Sequence, residues 1–282
     1  MDRRARDLIP PLMRRRIRQF YYFLIDMLDR LLSRRREMVP PKRIRPDYVV
    51  SSGFTEHGEL FAQYAIELSR LEPEDRVLDL GCGIGRIAVP LTAYLNQKGS
   101  YEGLDIVPES IAWCRKEIST RHPNFNFQIA DVYNNQYNPS GTQKAGEYTL
   151  PFDDGSFDLI LLKSVFTHML PDDVKNYLSE IARTLKNGGR VLITFFLLTE
   201  LSLAAMENGS ARREFNYVFD SYRTESDQVL ESAIAYDESY VRQLFASAGL
   251  EIEDPIHYGT WTGRTDARFA QDIIVSAKQL GE

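Results

Sequence analysis

The sequence predicts an α/β fold in which a doubly wound sheet of mainly parallel strands is covered by helices on both faces. Short apolar runs that end in glycine or an acid alternate with segments whose apolar residues recur at helical spacing. The 282 residues, 43% of them hydrophobic and 26% charged, are enough for one large globular domain with an appendage. The pattern is organised around the run RVLDLGCGIGR at 76–86.

The elements follow one another in regular alternation from residue 76 onward. We predict strands at 76–80, 101–105, 126–130, 157–162, 190–196, 250–257 and 272–278, and helices at 84–95, 108–118, 171–185 and 238–248. Two connections, 131–156 and 197–237, are longer than the core needs. Both leave the carboxyl edge of the sheet, where α/β proteins bind ligands, so we expect them to form substrate walls and a lid.

The run at 76–86 predicts a strand, a glycine turn and then a helix. Gly81, Gly83 and Gly85 stand at alternate positions, so a ligand can lie against the backbone there. This spacing differs from the G-x-G-x-x-G of dinucleotide sites, and Asp79 precedes the first glycine. A carboxylate there repels a pyrophosphate but attracts the ammonium group of a methionine moiety. Asp105 ends the next strand, where it can accept both ribose hydroxyl hydrogens.

This arrangement resembles the class I S-adenosylmethionine (SAM) dependent methyltransferases, in particular the small-molecule type. The motifs that carry the resemblance span roughly 76–196: DLGCGIG, Asp105, Ala130-Asp131, PFDDGSFDLILLKSVFTHM and LKNGGRVLITF. The resemblance implies SAM as cofactor and S-adenosylhomocysteine as product. It also implies a Rossmann-like, seven-stranded sheet of order 3-2-1-4-5-7-6 with the last strand antiparallel.

The resemblance implies a set of cofactor-binding residues. Asp131, directly after the third strand, matches the position that accepts from the adenine amino group, and Ser164 and Val165 lie beyond the fourth strand, facing the methyl group. For Asp105 and Asp131 the alternative is that a strand-end aspartate caps the next turn. The predicted set is Asp79, Gly81, Gly83, Gly85, Asp105, Ile106, Asp131, Val132, Ser164 and Val165.

His168, in SVFTHM, is the candidate catalytic residue. SAM carries its own sulfonium leaving group, so the protein has only to position the acceptor, exclude water and remove a proton from a hydroxyl nucleophile. An imidazole with an ordinary pKa near 6.5 suits that task. The alternative is that His168 anchors the helix that follows.

Aromatic and cationic residues on the long connections are candidate substrate contacts. Tyr133 belongs to the first connection, Tyr217 and Tyr222 belong to the second, and Trp261 and Arg264 stand in HYGTWTGR between the last two strands. For that last segment the alternative is a surface hairpin with one buried aromatic side chain. The histidines are scattered, so we predict no metal site.

Residues 1–45 predict a basic, amphipathic helical arm ahead of a methyltransferase domain at 46–282. The arm has 14 Lys and Arg against 5 Asp and Glu, whereas the remainder has 20 against 35. Its longest apolar run is too short to span a bilayer. The arm can pack on the catalytic domain, pair with a second subunit in a homodimer, or contact a membrane peripherally. An interrupted apolar stretch and two cysteines favour a cytoplasmic protein over an exported one.

The leading functional prediction is methyl transfer to the hydroxyl of a small molecule, such as a glycosyl, lipid or natural-product acceptor. One alternative is an RNA or protein methyltransferase that docks through the basic arm. The acidic body and the SVFT segment, which stands where base methyltransferases have N/D-P-P-Y/F, argue against specific nucleic-acid recognition. A second alternative is a SAM-binding scaffold without catalysis. The glycine spacing disfavours a nicotinamide oxidoreductase.

Overall fold

The computed structural model describes residues 11–32, 37–45, 53–135 and 137–279, with side chains of the first helix described from Phe20 onward. Seven strands form the main sheet in the order β10-β11-β5-β4-β1-β2-β3. β11 is antiparallel to both of its neighbours, which confirms the predicted order and the antiparallel last strand. The strands of this sheet are β1 Arg76–Leu80, β2 Ser100–Asp105, β3 Phe125–Ile129, β4 Phe157–Leu162, β5 Leu185–Phe195, β10 Leu250–Ile252 and β11 Asp272–Lys278.

Helices cover both faces of this sheet because successive strand residues point to opposite faces. Leu78 of β1 belongs to one apolar cluster and Val77 belongs to the other, and both are fully buried. The helices are α1 Pro11–Leu31, α2 Thr55–Glu67, α3 Ala88–Leu91, α4 Pro108–Cys114, α5 Pro171–Thr184, α6 Glu200–Glu207 and α7 Glu238–Ser247.

Several predicted boundaries were wrong for local reasons. The helix predicted at 84–95 shortens to α3, because left-handed Gly85 precedes it and Pro90 within it has no N–H to donate. The strand predicted at 250–257 ends at Ile252, and Pro255 then interrupts the pairing. The fifth strand begins at Leu185 rather than at residue 190.

The connection predicted at 197–237 is an ordered subdomain. It contains α6 and four short strands, in the order β6-β9-β8-β7. The carboxylate of Asp272 ties it to the main sheet: Oδ2 accepts from the Leu197 amide (2.7 Å) and the Trp261 indole N–H (2.8 Å), and Oδ1 accepts from the Gly259 amide (2.7 Å). The strands are β6 Leu197–Leu198, β7 Tyr217–Val218, β8 Tyr222–Thr224 and β9 Ile234–Asp237.

The connection predicted at 131–156 is held at both ends by hydrogen bonds. The Asp131 carboxylate accepts from the backbone amide of Thr142 (3.0 Å) and from its hydroxyl. Farther along, the Asn176 side chain of α5 donates to the carbonyls of Ala145 and Tyr148 (2.9 Å each). These bonds keep the connection against α5 at the carboxyl edge of the sheet.

The N-terminal arm contains α1, followed by a 3₁₀ turn, Lys42–Ile44. Met38, Val39 and Ile44 pack against the apolar cluster that includes Phe61. Parts of the predicted arm, 1–10 and 33–36, lie outside the described residues. Among the described helices, none combines the length and the apolar character that crossing a bilayer requires.

Replacing Asp272 with Ala should lower the free energy of unfolding by about 3 kcal/mol or more, because three buried N–H groups lose their acceptor. Urea denaturation followed by circular dichroism measures this. Asp266→Ala is the matched control. Asp266 is 68% exposed and pairs with Arg264 at the surface, so this substitution should lower the free energy of unfolding by less than about 1 kcal/mol. Equal effects of the two substitutions contradict the anchoring role of Asp272.

Candidate functional site

The glycine turn after β1 lies where the ends of β1, β2 and β4 meet. Gly81 has a left-handed backbone (φ +80°), and a Cβ built on it would lie 2.4 Å from Cγ2 of Val165, so this position requires glycine. Its amide donates to the Leu104 carbonyl at the end of β2 (2.7 Å). A Cβ on Gly83 would meet no atom within 4 Å. The turn therefore presents bare backbone to open space beside three strand ends.

Asp79 is the buried acid of this site. Its Oδ2 accepts a hydrogen bond from the Tyr101 hydroxyl, whereas its Oδ1 has no hydrogen-bond partner among the described residues. Burial raises the pKa of Asp79 to about 7, and the charge of Asp105 adds to the effect, against the opposing influence of Tyr101 and Lys163. A buried, unpaired carboxylate oxygen is costly on its own and fits a cationic, hydrogen-donating ligand.

Asp105 braces the glycine turn. Its Oδ2 accepts from the Gly83 amide (2.7 Å) and its Oδ1 accepts from the Val107 amide (2.9 Å). Burial raises the pKa of Asp105, although these amide bonds favour the carboxylate. Each oxygen keeps a further lone pair that can accept from a hydroxyl. The ribose-binding role of Asp105 stays a prediction. The alternative, that Asp105 caps the next turn, corresponds to the bond that it accepts from the Val107 amide. Ile106, the next residue, packs against the main apolar cluster.

Asp131 and Val132 follow β3. Asp131 is exposed, and its two bonds to Thr142 lower the pKa of its carboxyl, so it is ionised at neutral pH. Val132 is buried at 3% exposure, and its carbonyl accepts from the Asn138 side chain (3.0 Å). The carboxylate thus organises the first connection as well as facing solvent. Its contact with adenine stays a prediction.

The end of β4 is conformationally constrained. Ser164 has a positive φ of +59°, which is uncommon for a residue with a side chain and occurs often at functional sites. Its amide donates to Thr194 Oγ1 of β5, and its hydroxyl donates to Gln271 Oε1 just ahead of β11, both at 2.8 Å. These bonds hold the chain so that Val165 meets the glycine turn.

Lys163 is a further site residue that the sequence analysis missed. Its ammonium lies 5.4 Å from the centroid of the Phe269 ring. Burial lowers the pKa of Lys163 to about 8, with a further lowering by Arg86 and an opposing effect of Asp79. A lone lysine at the end of an apolar strand, FDLILLK, was the available signal.

His168 ends the 3₁₀ turn Phe166–His168, which follows β4. Its Nδ1 lies 2.9 Å from the carbonyl oxygen of Glu231, which comes from the second connection. A carbonyl only accepts, so Nδ1 carries the proton and Nε2 keeps its lone pair. Burial lowers the pKa of His168, which favours this neutral form. The ring of Tyr137, from the first connection, lies edge-on to the imidazole at 6.2 Å.

The predicted substrate residues divide into two groups. Tyr133 and Tyr217 are 48% and 39% exposed, and the Tyr222 ring stacks on Phe219 at 4.6 Å. Trp261 is only 1% exposed, and its indole N–H donates to Asp272. The structure therefore does not place it at the site as a substrate wall. It is the buried aromatic side chain of the alternative prediction. Arg264 pairs with Asp266 at the surface (3.0 Å).

Within the described part of the chain, no group of three or more His, Cys, Asp or Glu side chains is arranged to hold a metal ion. The two cysteines, Cys82 and Cys114, are buried and free, and burial raises the pKa of both thiols. Neither thiol is therefore a nucleophile at neutral pH.

Residues 78–193, which include the glycine turn and both acids, match the family model described as a methyltransferase domain. This match is consistent with a class I SAM-dependent methyltransferase. SAM is the cofactor of this family, and the site fits it. The unpaired Asp79 oxygen suits the ammonium of its methionine moiety, and the open space at Gly83 lets a ligand approach the backbone.

Similar proteins agree with this assignment. The methyltransferase domain is 32% identical over 124 residues to the ubiquinone/menaquinone biosynthesis C-methyltransferase UbiE of Wigglesworthia glossinidia brevipalpis, covering 44% of each chain. It is 31% identical over 130 residues to the aklanonic acid methyltransferase DauC of Streptomyces sp. strain C5, covering 46% of this chain and 51% of that protein. The chain spans about half the length of these curated relatives.

A crystal structure of a SAM-dependent methyltransferase from Methanosarcina mazei has the same fold. It superposes with a TM-score of 0.50 at 20% sequence identity, over 77% of this chain and 99% of that one. At this level of identity, the likeness concerns the fold alone.

The dissociation constant for SAM should rise as the pH falls through the pKa of Asp79 near 7, because a protonated carboxyl must lose its proton before it can pair with the ammonium group. Between about pH 7.5 and about pH 5.5, we expect a weakening of about twentyfold by isothermal titration calorimetry. Asp79→Asn should bind weakly with no such dependence. Tyr101→Phe should move the weakening to higher pH, because the Tyr101 hydrogen bond lowers the pKa of Asp79 and its loss therefore raises that pKa.

The matched control is Asp131→Asn, since the pKa of that carboxyl is already lowered and the group stays ionised throughout this range. Asp131→Asn should therefore keep the wild-type pH dependence, whatever its affinity. A wild-type affinity that does not change with pH contradicts the role given to Asp79.

Proposed function

We propose that this chain transfers the methyl group of SAM to a small-molecule acceptor, through a hydroxyl of a glycosyl, lipid or natural-product compound. The domain family and its cofactor support methyl transfer. The names of the two relatives described above, one of ubiquinone/menaquinone biosynthesis and one acting on aklanonic acid, support a small organic acceptor.

In this proposal, each acid of the site holds a different part of the cofactor. Asp79 pairs with the ammonium group, Asp105 accepts from the ribose hydroxyls, and Asp131 accepts from the adenine amino group. Gly81, Gly83 and Gly85 allow close approach of the backbone, and Ile106 and Val132 contribute apolar contacts. SAM itself supplies an activated methyl group on a sulfonium. Ser164 and Val165 hold the end of β4 beside it.

His168 is the proposed base, and the bond between its Nδ1 and the Glu231 carbonyl carries the proposal. That bond leaves the Nε2 lone pair free to accept the proton of the acceptor hydroxyl. The hydroxyl oxygen attacks the methyl carbon, the carbon–sulfur bond breaks, and its electron pair stays on sulfur. The imidazolium then returns its proton to solvent. Since burial lowers the pKa of His168, its imidazole is neutral at neutral pH and can accept a proton.

The acceptor pocket in this proposal lies between the two long connections. Both reach His168, one through Tyr137 and the other through Glu231. Tyr133, Tyr217 and Tyr222 offer rings with hydroxyl groups to an acceptor. Arg264 is a proposed contact for an anionic acceptor, for which it must leave Asp266. Trp261 supports this region from within the core.

Two alternatives stay open to test. One is an RNA or protein methyltransferase that docks through the basic arm, and the other is a SAM-binding scaffold without catalysis. The placement of His168 between both connections favours catalysis over a scaffold. A cytoplasmic location belongs to the proposal. Peripheral membrane contact through the arm and a homodimer are its two candidate associations.

Replacing His168 with Gln should lower turnover by about a hundredfold to ten-thousandfold, because the acceptor loses its base, while the SAM dissociation constant stays unchanged. Wild-type turnover should fall as the pH drops through the lowered pKa of His168. Transfer of label from methyl-labelled SAM to organic-extractable products of a deletion-strain extract measures the rate. His122→Gln, a partly exposed histidine beside Phe125, is the control and should not change it.

The outcomes separate the alternatives. An H168Q variant with wild-type turnover and pH profile removes His168 as the base. Label that enters RNA or protein instead of small molecules favours the first alternative, and SAM binding with no transfer to any fraction favours the scaffold.

A further inference from the structure

The first helix presents its apolar side chains to solvent. Eight exposed apolar residues between positions 20 and 32 form this surface, and at 100° per residue they fall within about 180° of the helix circumference. Phe20, at 64% exposure, and Leu31, at 73%, lie near the centre of this apolar face. Within the described part of the chain, the Arg43 guanidinium lies 5.8 Å from the centroid of the Phe23 ring, and the eight side chains of the face stay 39–73% exposed. This contiguous apolar surface differs from the scattered single apolar residues of an ordinary surface. The members of the apolar face are Phe20, Tyr21, Phe23, Leu24, Met27, Leu28, Leu31 and Leu32.

The opposite side of α1 faces the protein, and it carries the acids. Asp26 accepts from the backbone amides of Lys42 (2.7 Å) and Arg43 (3.1 Å), and Asp29 pairs with the Lys42 ammonium at 3.2 Å. The 3₁₀ turn that contains these donors belongs to the segment that packs on the main domain through Met38 and Ile44. The helix is therefore docked by its polar side. The arm thus packs on the main domain through this segment, while the exposed apolar side chains of α1 lie on the other side of the helix.

Charge indicates what covers the apolar face. Residues 1–45 carry a net charge of +9, from 14 basic against 5 acidic side chains, and the rest of the chain carries −15. Arg14, Arg15 and Arg16 precede the apolar face in sequence, and the run 34–36 follows it. Two such arms brought together in a homodimer repel each other. A surface that is negatively charged and has an apolar interior beneath it complements both the basic charge of the arm and the apolar face of α1.

We propose that the apolar face of α1 docks onto an anionic lipid bilayer, with the helix lying parallel to the membrane plane. A helix of 21 residues is about 32 Å long and carries charges along its inner side, so it lies on the bilayer and does not cross it. The proposal deepens the membrane association named in the proposed function. It is independent of methyl transfer, because vesicle binding is measured without an acceptor.

The test is sedimentation of the full chain with vesicles. Vesicles of about 70% phosphatidylcholine and 30% phosphatidylglycerol should bind it at least tenfold more tightly than phosphatidylcholine alone, and added salt should weaken the binding. The triple variant Phe20→Ser, Leu24→Ser, Leu31→Ser should bind the anionic vesicles at least tenfold more weakly than the wild type. The control Leu201→Ser, Val218→Ser removes apolar residues that are 74% and 64% exposed elsewhere, and should bind within about twofold of wild type.

Calorimetric SAM titration of each variant checks that the domain is folded and separates a failure of the arm from a failure of the cofactor site. A second measurement needs no variant: amide hydrogen exchange at 20–32 in the wild-type chain should slow when anionic vesicles are added.

Three results overturn the proposal: no sedimentation with anionic vesicles at low salt, unchanged exchange at 20–32, or wild-type binding by the triple variant. A homodimer in light scattering that the triple variant dissolves, without any vesicle binding, assigns the apolar face to a second copy instead.

Discussion

A buried carboxylate that lacks a partner for one of its oxygens governs the site. Asp79 lies in the buried part of β1 near its carboxyl end and is itself fully buried, so its charge is removed from water. Tyr101 satisfies one oxygen, and no described residue satisfies the other. The remaining site follows from this arrangement: Asp105 braces the Gly83 amide, and Val165 fits against the space that Gly81 leaves open. A cation that enters here relieves an electrostatic cost that the fold has already incurred.

The two connections convert a cofactor site into a candidate reaction site. Asp131 and Asn176 hold the first connection, and Asp272 holds the second against the main sheet. Only in this folded arrangement does the Glu231 carbonyl reach His168 and select its tautomer. The acid–base role proposed for His168 therefore depends on a residue more than sixty positions away, in the connection that Asp272 anchors.

Local patterns with a strong physical cause were predictable, and those decided by distant contacts were not. The glycine turn and the alternation of strands and helices could be predicted because residue type and spacing largely determine local backbone conformation and burial. The helix after the turn was predicted too long, since its apolar spacing outweighed the effect of Pro90. For Trp261 the sequence predicts either a substrate contact or a buried aromatic side chain, because nothing nearby in sequence shows that Asp272 accepts its N–H.

By itself the sequence determined the α/β fold, the glycine turn with its two acids, and the amphipathic and basic character of the arm, because each depends on neighbouring residues. The strand order came from the resemblance to a family. Only the tertiary structure decided which way α1 faces: hydrogen bonds from Lys42 and Arg43 to Asp26 turn the acids inward and the apolar residues outward. It likewise decided the partners of Asp79 and His168. Such pairings join residues far apart in the chain, and periodicity carries no information about them.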